Sequence, residues 1–391
     1  MKFSYVCSEC GVGYEISPTL MVCPGCAVAQ KSDEPVRGIL EVALEGKTTA
    51  DFDVHDLLPV ARSCFPAIPV GNTPLWAPER LRQDLGFSGL FIKDDGVNPT
   101  FSFKDRASYL VSAFARSFDI NEIVLASTGN AGSSMAGIGA AAGQDITIFL
   151  PETAPEAKIV QALQYGASVH KVRGNYDLAY DFSLEYSRLK GGLNRNTAYN
   201  PMTIEGKKTV SLEVFQQLGE APDCVFVSTG DGCILAGVLK GFRDLQQLGL
   251  ITKVPVVYSV QAETSDALFR AQRLGTFENR PTSTVADSIC VDVPRNGYHA
   301  LKLIRDLDGR IIRVSDQEIL EAQHDLAAGA GLFSEPAGAA AYAGFLSVKE
   351  ELDPEAKVVI LATGNGLKDV ASALRGVEAP GASISRLEEI L

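Results

Sequence analysis

The sequence predicts an α/β protein built on parallel sheets with helices on both faces, and two observations carry that expectation. Short candidate strands, most of them largely apolar runs, at 123–126, 146–150, 169–172, 225–228, 256–260 and 358–362 alternate with amphipathic stretches at 157–165, 178–189, 208–218 and 235–248. Strands that are apolar on both sides and separated by helices are the pattern of covered parallel sheets. Three of the runs also lead into a glycine turn: Ser127-Thr128-Gly129-Asn130-Ala131-Gly132, Ser228-Thr229-Gly230-Asp231-Gly232-Cys233 and Ala362-Thr363-Gly364-Asn365-Gly366. A strand, a glycine turn and a helix in series put backbone N–H groups at a helix N-terminus, which is anion-binding geometry.

The first element is of a different kind. Cys7-Ser8-Glu9-Cys10 and Cys23-Pro24-Gly25-Cys26 are two Cys-x-x-Cys pairs separated by twelve residues. Each pair can hold two thiolates on one knuckle, and the intervening segment can form a hairpin, so residues 1–30 are expected to be a zinc ribbon. Four sulfurs leave no open position, which makes the metal structural. The spacing leaves zinc or iron open. A disulfide pair is the alternative, but no secretory h-region stands ahead of Cys7, so the thiols are expected to stay reduced in a cytoplasmic protein. Residues 31–67, with Pro35, Pro59 and Pro66, are expected to be a linker wrapping onto the body.

Next comes Asn98-Pro99-Thr100-Phe101-Ser102-Phe103-Lys104-Asp105-Arg106. Turn and capping chemistry at Asn98-Pro99-Thr100 precedes apolar residues at Ala107, Leu110, Val111, Phe114, Ala115 and Phe118, so Lys104 belongs to the first turn of a core-facing helix. Helix dipole and partial burial there both disfavour an ammonium ion, whose free pKa is about 10.4. Such a lysine can attack an aldehyde. By itself it could equally be a solvated charge; three glycine turns around it make a constellation. None of the turns is a Walker loop, and none is a dinucleotide Gly-x-Gly-x-x-Gly with its ribose-binding acid.

Ser102-Phe103-Lys104-Asp105-Arg106, Ser127-Thr128-Gly129-Asn130 and the turn at 228–233 together resemble the pyridoxal-phosphate enzymes of the tryptophan-synthase-β fold (fold type II). Within that group the lysine motif is similar to that of threonine synthases, and the resemblance runs from Gly71-Asn72-Thr73-Pro74-Leu75 to Asp369. It implies a small domain at 100–200, with a linker and the first part of a large domain at 31–99 and the rest of the large domain at 201–391. It also implies a small-molecule amino-acid substrate and a homodimer. Lys104 would hold the cofactor aldehyde and move protons, and Asn130 would bond the ring oxygen. The amides of Ser127, Thr128, Gly129, Asn130 and Ala131 would receive the substrate carboxylate. Thr229, Gly230, Asp231, Gly232 and Cys233 would cradle the cofactor phosphate, and Thr363 would meet the ring nitrogen. Asp231 is awkward in that role, because an acid repels phosphate unless it turns away; the alternative reading is a turn-former.

The activity implied is conversion of O-phospho-L-homoserine and water to L-threonine and phosphate, a lyase reaction. A serine/threonine dehydratase or β-replacement enzyme is the alternative, and a non-catalytic zinc-ribbon scaffold a remote one. Some positions depart from the family pattern. Phe101 and Ala107 stand where glycines usually flank the lysine motif, and Ala131 stands where a hydroxyl often follows the asparagine. In Asn200-Pro201-Met202-Thr203-Ile204-Glu205-Gly206-Lys207-Lys208, an arginine serving the substrate phosphate often occupies the place of Thr203. Arg195, Lys207 and Lys208 are the nearby basic residues able to substitute.

Composition is compatible with all of this. The 391 residues are 46% hydrophobic and 21% charged, values of an ordinary globular chain with room for a large core. A net charge of -13 argues against a nucleic-acid partner. The longest small and apolar stretch, 131–150, is interrupted by Ser133, Ser134, Gln144 and Asp145, so no membrane span is expected.

Overall fold

The computed structural model describes every residue except 32, 155, 379, 380, 382, 387 and 389–391, and only the backbone of 156–158. The first sheet is small and antiparallel, in the order β2-β1-β3, from β1 (Lys2–Cys7), β2 (Gly13–Tyr14) and β3 (Leu40–Glu45). Here the structure corrects the expected linker. The segment at 31–67 supplies β3, which pairs with the whole of β1 from Lys2↔Glu45 to Cys7↔Leu40. Its prolines lie on either side of the strand, so composition over the whole segment concealed it.

The body contains two further sheets, formed by β4 (Leu75–Trp76), β5 (Leu90–Asp94), β6 (Glu122–Ala126), β7 (Asp145–Pro151), β8 (Ser168–Val172), β9 (Leu193–Asn194), β10 (Cys224–Ser228), β11 (Val256–Ala262), β12 (Arg310–Val314) and β13 (Val358–Ala362). The larger has the order β12-β11-β10-β13-β5-β4 and is parallel except for β4. The smaller, β8-β7-β6-β9, is parallel throughout.

The inner strands of both body sheets are buried on their two faces, as their apolar sequences require, while the edge strand β8 leaves Ser168, His170 and Lys171 exposed. In β10, Val225 and Val227 enter one core while Cys224 and Phe226 enter the other. In β6, Ile123 and Leu125 face one cluster and Val124 and Ala126 face another. Period-two alternation thus divides apolar residues between two cores rather than between core and water.

The Lys104–Arg116 helix is fixed by charge as well as by its stripe of Ala107, Leu110, Val111, Phe114 and Ala115. The buried Arg106 guanidinium lies 2.5 Å from Asp95 and 2.6 Å from Glu213, and Glu213 also takes Lys93 at 2.7 Å. Burial pushes the Glu213 carboxyl up, but Arg106 and Lys93 prevail and lower it to about 2. The network joins β5, the lysine helix and the Thr209–Leu218 helix, and so fixes where Lys104 stands.

Candidate active site

Lys104 opens its helix because the chain ahead of it is locked against the end of β13. The Phe103 amide donates to the Thr363 carbonyl at 2.8 Å, and the Asn365 amide donates to the Phe101 carbonyl at 3.1 Å. Phe101 needs a left-handed backbone for this, with φ of 69°. The position where resembling sequences carry glycine is therefore one where glycine's freedom is wanted. Ala107 is accommodated because Gly206, across the contact, has no side chain: a Cβ there would lie 3.0 Å from the Ala107 Cα.

A cavity of about 180 Å³ is lined by Lys104, by Ser127, Thr128, Gly129, Asn130 and Ala131, and by Ser228, Thr229, Gly230, Asp231 and Gly232. The lysine helix, the turn after β6 and the turn after β10 thus converge on one space. The turn after β10 becomes the N-terminus of the Cys233–Gln247 helix, with Gly232 as its cap at φ of 83°. Gly230 allows a close backbone approach, since a Cβ there would lie 2.8 Å from the Ile289 Cα. The Ser228 Oγ is buried without a hydrogen-bond partner among the described residues. Thr363 is buried at the end of β13, tied by its carbonyl to the residue before Lys104.

Two of the expected residues behave in ways the sequence left open. The Asp231 carboxylate accepts from the Cys233 amide at 3.1 Å, so it is a turn-former occupying one of the donors expected to face an anion. Cys233 itself is buried, and burial, then Asp231, pushes its thiol well above the ordinary range. Asn130 Nδ2 lies 3.1 and 3.0 Å from the two carboxylate oxygens of Glu335. Burial raises the Glu335 carboxyl, against the opposing pull of Asn130 and Lys104. Sequence reasoning missed Glu335. Its only local signal is a helix start, an acid followed by Pro336 at the first helical position.

The three basic residues separate. Lys208 is held 2.5 Å from Glu205 and 2.9 Å from Asp244, beside Lys240, in a fully buried ion cluster. Its charge is already matched there, so the expectation that it reaches a substrate is corrected. Arg195 and Lys207 differ. Both are buried, and among the described residues neither has a carboxylate partner. Arg195 donates to Thr197 at 2.8 Å, on the cavity wall, while its Nε has no partner among the described residues. Among the described residues, Lys207 donates only to the Thr203 carbonyl, at 3.0 Å. Burial lowers Arg195 to about 10 and Lys207 to about 8; Asp231 and Cys233 act on both in the opposite sense.

At the N-terminus, the Sγ atoms of Cys7, Cys10, Cys23 and Cys26 all lie within 4.8 Å of one another. Cys7 and Cys26 are 3.8 Å apart and Cys10 and Cys23 are 3.7 Å apart, with no disulfide. A tetrahedron with bonds of about 2.3 Å has sulfur–sulfur edges of about 3.8 Å, so the four thiols have the dimensions of a zinc site.

Comparison with known proteins decides the family. The description "Pyridoxal-phosphate dependent enzyme" matches residues 67–364. The chain belongs to this family. A curated relative from Methanocaldococcus jannaschii, named threonine synthase, is 32% identical over 96% of this chain and 95% of its own. A threonine synthase of Methanosarcina acetivorans is 33% identical over 96% of this chain and 94% of its own. Among solved structures, the processed threonine deaminase isoform 2 of Solanum lycopersicum superposes with a TM-score of 0.70 at 22% identity, covering 85% of this chain and 96% of that one. That identity supports the shared fold alone.

The cavity fits a pyridoxal-phosphate dependent enzyme. It pairs a helix-start lysine with a glycine turn at a second helix N-terminus, the donor set for an aldehyde and a phosphate on one small molecule. The cation excess from Lys104, Arg195 and Lys207 offsets Asp231. For the turn to give every amide to a phosphate, the Asp231 side chain must swing off Cys233.

Proposed function

We propose that the protein is a threonine synthase, releasing phosphate from the γ carbon of O-phospho-L-homoserine and adding water at the β carbon. The whole-length similarity to threonine synthases supports this. The observation that carries it within the site is the pair Arg195 and Lys207, two buried cations beside the cavity with no carboxylate partner among the described residues. Buried charges are normally matched, so two unmatched cations mark a place for an anion. The Met202–Lys207 helix also accounts for Thr203. One turn separates it from Lys207, whose ammonium reaches back to the Thr203 carbonyl. A cation is therefore present near the position where resembling sequences carry arginine.

Pyridoxal phosphate, when bound, supplies an electron sink conjugated to the α carbon of the amino acid. The rest falls to side chains and backbone. Lys104 binds the aldehyde and carries protons at the substrate carbons. Asn130, steadied by Glu335, directs an amide hydrogen to the ring oxygen, and the buried Thr363 hydroxyl serves the ring nitrogen. The turn at 229–233 takes the cofactor phosphate. Amides of Ser127 to Ala131 take the substrate carboxylate, and Arg195 and Lys207 stabilise charge on the departing phosphate.

In the same reading, the four cysteines hold one structural zinc. The chain is organised as ribbon 1–30, its sheet completed by β3 of the following segment, a small domain at 100–200 and a large domain from the rest of 31–99 and 201–391. It acts as a cytoplasmic homodimer; among the described residues, no helix is long and apolar enough to cross a membrane. Borohydride reduction of the holoenzyme followed by peptide mapping tests the cofactor site. Label on Lys104, lost in Lys104→Ala, is expected; label on another lysine contradicts the assignment.

A further inference from the structure

The N-terminal ribbon lies far from the lysine motif in sequence, but the structure joins it to the phosphate turn. Asn296 grips that turn at two points. Its amide donates to the Asp231 carbonyl at 3.0 Å, and its Nδ2 donates to the Gly232 carbonyl at 3.0 Å. In a trans peptide the C=O and N–H point in opposite directions. Holding these two carbonyls on the Asn296 side therefore directs the Gly232 and Cys233 N–H groups the other way.

Asn296 is itself held. Its Oδ1 lies 3.1 Å from His299 Nδ1, and His299 Nε2 lies 2.6 Å from Glu41 of β3. Because Asn296 Nδ2 must donate to a carbonyl, its Oδ1 is an acceptor, and so is the Glu41 carboxylate. The other Glu41 oxygen takes Arg243 at 2.8 Å. Asn296 and His299 are 0% and 2% exposed, so water has no access to the bond between them, while the Glu41 side chain keeps 14% of its surface exposed. The same face is sealed by the Val36 amide donating to the Arg295 carbonyl at 2.9 Å and by Arg37 over the Tyr298 ring at 4.1 Å. One residue on, Gly38 pairs its carbonyl with the Cys23 amide at 2.7 Å.

We propose that Glu41, on the ribbon sheet, positions the phosphate turn through His299 and Asn296, so that an ordered ribbon raises the protein's affinity for its cofactor. The proposal rests on the reading that this turn receives the cofactor phosphate. Its physical content is tested without cofactor. His299 and Asn296 are positioning residues; neither lines the cavity.

Glu41→Ala lies outside the cavity and tests the relay at its far end. In the cofactor-free protein, amide hydrogen exchange at Gly232 and Cys233 should accelerate about tenfold, the effect of losing one bond to a charged group. Pyridoxal phosphate titrated into the same protein should bind about tenfold more weakly. Glu41→Gln, which keeps one acceptor, should restore part of both. Glu41→Ala made in an Asn296→Ala background should add little, because the relay is already cut at the turn. A merely structural role would lower Tm without singling out these two amides. Unchanged exchange at 232 and 233 in folded Glu41→Ala, or fully additive effects in the double variant, would overturn the proposal.

Discussion

Asn130 Nδ2 sits 3.0 Å from a carboxylate oxygen of Glu335, a residue 205 positions later in the chain. The contact fixes which way the amide faces, because a carboxylate can only accept from the nitrogen. One amide hydrogen is thereby committed to Glu335, while the Ser288 hydroxyl, 3.3 Å from the same nitrogen, is the partner a ligand oxygen would displace. Glu335→Ala should free the amide to rotate. The loss of a charge-assisted bond, about 1.5–3 kcal/mol, should appear as weaker pyridoxal-phosphate binding in a fluorescence titration. Unaltered affinity would show that Asn130 is held by other means.

The left-handed Phe101 gives a stability prediction. A non-glycine residue at φ of 69° is strained, and this ring is 49% exposed, so little burial is lost with it. Strain of about 1–3 kcal/mol, set against the entropy glycine adds to the unfolded chain, leaves a net gain of about 1 kcal/mol for Phe101→Gly. For a chain of this size Tm should rise by about 1–2 °C in calorimetry. A lower Tm would mean that the ring contributes packing beyond what its exposure suggests.

Lys207 makes activity depend on pH. Burial lowers its ammonium to about 8, so it is charged below that value and neutral above it. On the proposed function, kcat/KM for the phosphate-bearing substrate should fall as pH rises through about 8. In the cofactor-free protein the sign for stability is opposite, because the desolvated charge is relieved as it titrates. Lys207→Met should therefore keep or raise Tm while raising KM at least about tenfold. A flat profile above pH 8 together with normal KM in Lys207→Met would place phosphate recognition elsewhere.

How much of this was legible depends on whether the determinant was local. The helix start at Lys104 and the turns at 127–132 and 228–233 announce themselves within a few residues, because capping, glycine and apolar periodicity are short-range signals. Glu335, His299 and Glu41 gave no such signal. Their meaning lies in contacts across 205 and 258 positions of chain, Asn130 with Glu335 and Glu41 with His299, which only the folded chain brings together. Strand β3 was hidden for a related reason: its pairing with β1 is antiparallel and nonlocal, in a segment punctuated by prolines. Lys208 shows the converse. Its spacing beside Lys207 suggested a shared role, but on one short helix adjacent residues point different ways, and Lys208 faces Glu205 and Asp244.

The ribbon predicts one zinc per chain by elemental analysis of freshly purified, reduced protein. Replacing Cys7 and Cys10 with serine should abolish that metal and expose residues 1–45 to limited proteolysis, since structural zinc and local folding are coupled. A protein that lacks zinc and iron yet keeps a protease-resistant N-terminus would rule out a metal ribbon.

The most direct test is product analysis with the purified holoenzyme and O-phospho-L-homoserine. Threonine and inorganic phosphate should appear in equal amounts, and Lys104→Ala should form neither. If the wild-type protein leaves O-phospho-L-homoserine untouched but releases ammonia from threonine or serine, the account of Arg195 and Lys207 as the phosphate site is wrong and the protein is a dehydratase.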